Sequence, residues 1–160
     1  MYQSDLEVTD DLGQPQPMMS RPKRELLFHG AVLIFLGLLS GLVAPAVTNP
    51  RMGLSAHLGG VLNGMLLLVL GLAWPHARLS VGLDRTTTWL LLSSLYGIWG
   101  FTLIGAVFGT SQAAPIAGEG FSGEPWQESL VTGGLTAAAL AVLAAVSILV
   151  YGFAKTRRES

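Results

Sequence analysis

Residues 49–64 read NPRMGLSAHLGGVLNG, an Asn-Pro start followed by a glycine-rich apolar stretch that carries one histidine. Asn49 suits the N-cap of a helix, and Pro50 suits the first helical position because its missing N–H would have no partner there. The uncharged run that begins beside them extends over 52–77. About 20 apolar residues let a helix cross the hydrocarbon core of a bilayer, so this run predicts a membrane-spanning helix.

Three further runs without Asp, Glu, Lys or Arg are also long enough to cross a bilayer. A soluble domain of this length would place charged residues at helical period along such runs. We therefore predict an all-α fold, an integral membrane four-helix bundle that occupies 25–154 as a single domain. The further runs are 26–50, 86–118 and 129–154, and the predicted helices are about 25–47, 50–74, 87–108 and 127–154.

The charged residues are distributed asymmetrically between the two ends of such a bundle. Both termini and the loop between the second and third helices would share one end, which holds eight of the nine Lys and Arg residues. Because Lys and Arg accumulate on the cytoplasmic side, we expect both termini in the cytoplasm and the protein in a bacterial inner membrane. The basic runs are short and divided between the tails, so we do not expect nucleic-acid binding.

The tails and the absence of cysteine limit the remaining possibilities. Residues 1–24 predict a disordered cytoplasmic tail, and 155–160 predict a basic cytoplasmic tail. Residues 1–20 carry four acids and no base, which argues against a cleavable signal peptide. Without cysteine the chain has no disulfide, thiolate ligand or thiol nucleophile. No phosphate-binding loop, nucleotide fingerprint or hydrolase triad is present.

His57 is the residue on which the functional hypothesis rests. An ionisable side chain in the hydrocarbon zone is costly, and it persists mainly where it faces protein or water. Several glycines of the same predicted helix lie on its face, so we expect it to pack against a neighbouring helix. Asn63 lies about 120° around the helix, toward the bilayer middle. Instead of a functional role, His57 could be a packed histidine that bonds a backbone carbonyl, and Asn63 could only join two helices.

More polar residues are expected at the same end of the bundle as the start of the second helix. Arg51 and Ser55 lie one turn apart there, and His57 lies roughly 10 Å in from Pro50. The Gly/Pro-rich loop 109–129 emerges at this end with three carboxylates, which could share one cavity with the histidine and the arginine. The alternatives are that Arg51 only anchors at the headgroups or caps a partner carbonyl, and that the carboxylates are solvated or stabilise a helix N-terminus. These carboxylates belong to Glu119, Glu124 and Glu128.

Residues 49–58, together with Asn63-Gly64, resemble the signature stretch of the hydroxylaminobenzene mutase family. The loop segments Pro115–Gly118 and Trp126–Glu128 also resemble that family, and the resemblance covers about 26–154. The third helix matches it least: Leu95-Tyr96-Gly97 fits, whereas the three residues after it depart from the polar-aromatic pattern of the family.

The resemblance implies an isomerase that converts arylhydroxylamines to ortho-aminophenols, 2-aminophenol from hydroxylaminobenzene, in nitroaromatic degradation. Such a Bamberger-like rearrangement needs an acid to release the hydroxyl from nitrogen and a base to remove the ring proton. We expect Glu128 as the acid and His57 as the base, with Arg51 and Asn63 holding the oxygen. The expected substrate-binding residues are Asn49, Ser55, Gln127, Trp126 and Tyr96.

A metal variant of this mechanism is also open. No organic cofactor is expected, but His57 with Glu128 or Glu119 could bind a divalent ion that takes the departing hydroxide. Four short helices enclose little volume, so we expect a homo-oligomer in the lipid bilayer. The alternative functions are a small four-helix transporter or channel for aromatic compounds, and an accessory subunit. The lack of an acid past Glu25 in the first helix counts against proton-coupled export.

Overall fold

The computed structural model describes residues 21–158. All long elements in this range are helices, which confirms the predicted all-α class, and each of the four is long and apolar enough to cross a membrane. The helices are α1 (Arg21–Val43), α2 (Pro50–Ala73), α3 (Val81–Phe108) and α4 (Pro125–Arg158). Short 3-10 turns follow the first two helices, at Ala44–Ala46 and Trp74–His76.

Three helices extend beyond the bounds predicted from the uncharged runs. α1 begins at Arg21, inside the predicted tail, and α4 continues to Arg158, past the predicted end at 154. α3 begins at Val81, and Asp84 in its first turn is favourable at a helix N-terminus. The uncharged runs mark only the apolar part of each helix. The backbone hydrogen bonds of the helix continue into the charged residues beside that part, so the observed helices are longer. The predicted features of 1–20 lie outside the described residues.

α1 and α2 form an antiparallel hairpin in which glycines bring the two backbones into contact. A Cβ at Gly37 would come within 2.6 Å of the Val61 backbone N, and one at Gly64 within 2.6 Å of the Gly30 carbonyl oxygen. Such close approach through small residues is the usual basis of helix packing in membranes. The turn into α2 follows the prediction, because the Asn49 side chain caps the helix by accepting a hydrogen bond from the Met52 N–H at 3.1 Å.

α3 packs on α2 and carries α4 on its other side. The Phe101 ring lies directly against Gly134 of α4, where a Cβ would come within 2.5 Å of the ring. α1 packs mainly on α2, and α4 mainly on α3. We call the end of the bundle where α1 and α3 begin the termini end, and the opposite end, where α2 and α4 begin, the loop end. Residues 109–124 connect α3 to α4 at the loop end.

Candidate functional site

The imidazole of His57 lies in the packed interface between α1 and α2, as expected from the glycines on its face. The ring rests on Gly41, where an added Cβ would come within 2.6 Å of Nδ1. Nδ1 also lies 2.8 Å from the carbonyl oxygen of Gly37. Because a carbonyl only accepts hydrogen bonds, Nδ1 is the donor, and in the neutral imidazole the lone pair is then on Nε2. The side chain is half-buried.

Two residues that the sequence analysis did not assign to the site extend this hydrogen bond to α3. The hydroxyl of Ser40 donates to the same Gly37 carbonyl oxygen at 2.8 Å. The indole Nε1 of Trp99 donates to the Ser40 oxygen at 3.3 Å. A chain of hydrogen bonds therefore joins three helices at His57, and we call it the histidine network. Its sequence signal is weak, since it consists only of a serine next to Gly41 in α1.

Asn63 connects α2 to α3 one and a half turns further along. Its Nδ2 donates to the Leu95 carbonyl oxygen at 3.2 Å. Asn63 thus joins helices, which was the alternative interpretation. Within residues 21–158 its Oδ1 has no hydrogen-bond partner, so that oxygen can accept from a bound molecule. Tyr96 bonds His29 of α1, with Nδ1 and the phenol oxygen 3.2 Å apart, and its role in substrate binding stays a prediction.

Glu128 fastens the connecting loop to the first turn of α4. Its carboxylate is buried, with 4% of the residue exposed. It accepts backbone N–H bonds from Ser111 at 2.9 Å, from Gln112 at 3.0 Å and from Gly123 at 3.0 Å. The Ser111 hydroxyl lies 3.4 Å from the same carboxylate. Both ends of the loop 109–124 are thereby bound to one side chain.

Asn49 and Arg51 hold the middle of the same loop against the start of α2. Asn49 is completely buried, and its Nδ2 donates to the Ala117 carbonyl oxygen at 2.9 Å. The Arg51 guanidinium donates to the backbone oxygen of Glu119 and lies 3.9 Å from its carboxylate. It also lies 5.8 Å from the ring centroid of Phe121, within cation–π range. We call Glu128, Asn49 and Arg51 the loop clasp.

That Glu128 and Arg51 share a cavity with His57 stays a prediction. Their polar atoms bind the loop, and across the described chain no hydrogen bond or ion pair joins either of them to His57. Both oxygens of Glu128 accept hydrogen bonds from backbone N–H groups, so in this geometry the carboxylate anchors the loop. Its role as the acid stays a prediction. The sequence could not reveal the anchoring, because the donors are backbone groups of a loop whose conformation no motif specifies.

Three other predicted substrate-binding residues also lie at the loop end. Gln127 accepts a hydrogen bond from the Glu124 N–H at 2.8 Å, which closes the first turn of α4. The Ser55 hydroxyl is exposed and donates to the Arg51 carbonyl oxygen of its own helix at 3.1 Å. Trp126 is 60% exposed, with its ring 5.4 Å from that of Phe108. None of these contacts reaches His57, so binding roles for the three stay predictions.

The metal variant, in which His57 with Glu128 or Glu119 binds a divalent ion, stays a prediction. Across 21–158, no three side chains of His, Asp or Glu lie close enough together to hold one ion. Nδ1 of His57 lies 2.8 Å from a carbonyl oxygen, and metal-binding histidines usually donate their other ring N–H to such a group.

Fold and site define a helical protein with four apolar spans, one histidine oriented inside the helix interface and a loop fastened over one end. A family model described as styrene oxide isomerase matches residues 22–154. The chain belongs to the styrene oxide isomerase family, and it is an isomerase.

Two curated relatives come from Ectopseudomonas oleovorans. Hydroxylaminobenzene mutase HabB is 39% identical over 140 residues, which cover 86% of this chain and 85% of the relative. Hydroxylaminobenzene mutase HabA is 39% identical over 128 residues, which cover 79% of this chain and 95% of the relative. The resemblance inferred from the α2 stretch and the loop segments is thereby confirmed.

Proposed function

We propose that this protein is embedded in a bacterial inner membrane and converts hydroxylaminobenzene and related arylhydroxylamines to ortho-aminophenols. The observation that carries the proposal is the 39% identity to two hydroxylaminobenzene mutases over most of the chain. The geometry of His57 is compatible with it, because the imidazole is held in one tautomer with Nε2 available. Membership of an isomerase family favours this activity over the alternatives of transport and an accessory role.

The outward faces of the helices support the membrane location. Large apolar side chains are exposed along all four helices, for example Leu42 at 79%, Leu62 at 57%, Trp89 at 63% and Leu140 at 64%. In water such contiguous apolar surface promotes aggregation, whereas in a bilayer it contacts acyl chains. The excess of Lys and Arg at the termini end supports a cytoplasmic position for both termini.

The proposed reaction moves an oxygen and one proton without net oxidation. The N–O bond of the hydroxylamine breaks, a bond forms between oxygen and the ortho carbon, and one proton moves from that carbon to nitrogen. Nε2 of His57 can take the ring proton and return it to nitrogen, which leaves the imidazole in its starting state. Oδ1 of Asn63, on the same helix, is available to accept a hydrogen bond from the hydroxylamine N–H or O–H.

Cleavage of the N–O bond needs an electrophile, and His57 permits two versions of this step. In the first, a carboxylic acid protonates the departing hydroxyl, and Glu128 is the proposed acid. In the second, Nε2 of His57 would hold a metal ion, which would supply Lewis acidity, and Nε2 would then not serve as the base. Metal analysis of protein purified without chelator separates the two. The proton version requires full activity in protein that contains no metal. The metal version requires bound metal in the purified protein and no bound metal in His57→Ala.

We further propose that the working enzyme is a homo-oligomer. His57 is only half-buried in one chain, and four helices of this length enclose little volume for an aromatic ring that must be kept from water. A second copy of the chain packed against the α1–α2 face would complete the enclosure of His57 and the aromatic substrate. Light scattering of the purified protein measures the stoichiometry, and an active monomer would contradict this part of the proposal.

The activity is tested by incubating detergent-purified protein with phenylhydroxylamine and identifying the products by liquid chromatography. We expect rapid formation of 2-aminophenol, and its loss in His57→Ala. His76→Ala is the matched control, since this exposed histidine lies at the termini end and is expected to retain activity. Folded protein that gives no 2-aminophenol would overturn the proposed substrate. Normal turnover by His57→Ala would overturn the proposed site.

A further inference from the structure

A cavity of about 580 Å³ lies between α1 and α3 at the termini end, where the proposed reaction does not use it. One part of its wall is polar and carries charges of both signs, and the other part is apolar. The polar residues are Glu25, His29, Asp84, Arg85 and Thr88, and the apolar ones are Pro22, Val81, Trp89 and Leu92. The cavity therefore offers one cation, two carboxylates and an aromatic surface within a single depression.

The charged groups of this cavity are only partly satisfied by the protein. Asp84 accepts a hydrogen bond from the Trp74 indole at 2.6 Å through one oxygen. Glu25 lies 3.9 Å from His29, and both side chains are about one third exposed, at 37% and 33%. Arg85 is exposed and has no ion pair within the described part of the chain. A ligand with both a positive and a negative group would complement this arrangement.

A second depression continues from the first along the outside of α3. It measures about 380 Å³, has mostly apolar walls, and shares Arg85 and Trp89 with the polar cavity. Thr86, Leu90 and Ser93 complete its lining, so it runs from the charged end toward the middle of the helix. Trp89, which is 63% exposed, separates a polar compartment from an apolar one. This is the level at which tryptophan sits in membrane proteins, between headgroups and acyl chains.

The two connected compartments exclude simpler ligands. A small ion or sugar would leave the apolar groove unfilled, and a hydrocarbon would leave the charges of the polar cavity unpaired. We propose that this surface binds a zwitterionic phospholipid whose headgroup ends in a primary ammonium. Its phosphate pairs with Arg85, its ammonium donates to Glu25 and Asp84, and an acyl chain lies along the groove. The proposal rests on the proposed membrane location.

Native mass spectrometry of the whole protein tests this site. Protein is equilibrated in micelles that contain equimolar phosphatidylethanolamine, phosphatidylcholine and phosphatidylglycerol, and the retained lipids are counted. We expect phosphatidylethanolamine to be retained in preference to both others. Arg85→Gln and Glu25→Gln should each reduce its retention by about tenfold, because each removes a charge-assisted contact. Arg24→Gln is the control, since it makes the same charge change at an exposed position outside the cavity.

Three outcomes of the retention experiment would overturn the site. Equal retention of the three lipids, or preference for phosphatidylglycerol, would indicate no recognition of the ammonium. An equal loss in Arg24→Gln would indicate general attraction to basic residues. If a variant is unstable, Trp89→Phe gives a second measurement. Brominated-chain phosphatidylethanolamine should quench the tryptophan fluorescence less in Trp89→Phe than in the unchanged protein. Equal quenching in the two proteins would contradict the site. Flotation of the protein with vesicles after alkaline extraction tests the membrane location separately, and failure to float would refute that location.

Discussion

The imidazole of His57 occupies the space that a side chain at position 41 would fill. Gly41→Ala places a methyl group within 2.6 Å of Nδ1, so the ring must turn away from the Gly37 carbonyl. We expect the isomerase rate to fall by roughly 100-fold, the effect of a small misplacement of a reacting group, while the protein still folds. Gly59→Ala is the control, because nothing lies within 4 Å of that position. Equal rates in the two variants would contradict a positioning role for Gly41.

Ser40 and Trp99 should act on His57 as one unit. Ser40→Ala removes a hydroxyl that donates to the carbonyl bonded by His57, and Trp99→Phe removes the indole N–H that donates to that hydroxyl. We expect each variant to lower the rate by roughly 10-fold, as changes behind a reactive histidine often do. The double variant should be little worse than either single one, because the two bonds are coupled. Full additivity in the kinetic measurements would show that the histidine network is not a unit.

At the scale of elements, the loop 109–124 depends on one carboxylate. Glu128→Gln replaces one acceptor oxygen by an NH₂ group, which faces backbone N–H donors that it cannot bond. We expect a loss of stability of about 1–3 kcal/mol, the cost of leaving buried donors unsatisfied. Hydrogen exchange should accelerate at the amides of Ser111, Gln112 and Gly123. Glu124→Gln, an exposed change in the same loop, should leave these amides protected. Unchanged exchange in Glu128→Gln would contradict the anchoring role.

The sequence predicts structure well where it depends on the chemistry of one residue or one segment. It does not predict contacts with backbone groups that are distant in the sequence. Asn49 was recognised as a helix cap because capping is local, and the helices were recognised because transfer of apolar residues into lipid acts along each segment. The partners of His57 and Glu128 are backbone groups brought close by tertiary packing, such as the Gly37 carbonyl. For that reason the helix cap and the four helices were predicted from the sequence, whereas the hydrogen-bond partners of His57 and Glu128 were not.

At the scale of the whole molecule, charge asymmetry is expected to set the orientation in the membrane. The chain has no cysteine, so a single introduced cysteine reports its own side without a background to subtract. The two variants are Ser122→Cys and Ser80→Cys. Position 122 is in the loop 109–124, position 80 is just before α3 at the termini end, and both positions are exposed. Since Lys and Arg are retained in the cytoplasm, a membrane-impermeant maleimide should label position 122 in intact cells and position 80 only after permeabilisation. The reverse pattern would invert the topology and place the charged cavity between α1 and α3 on the outer side.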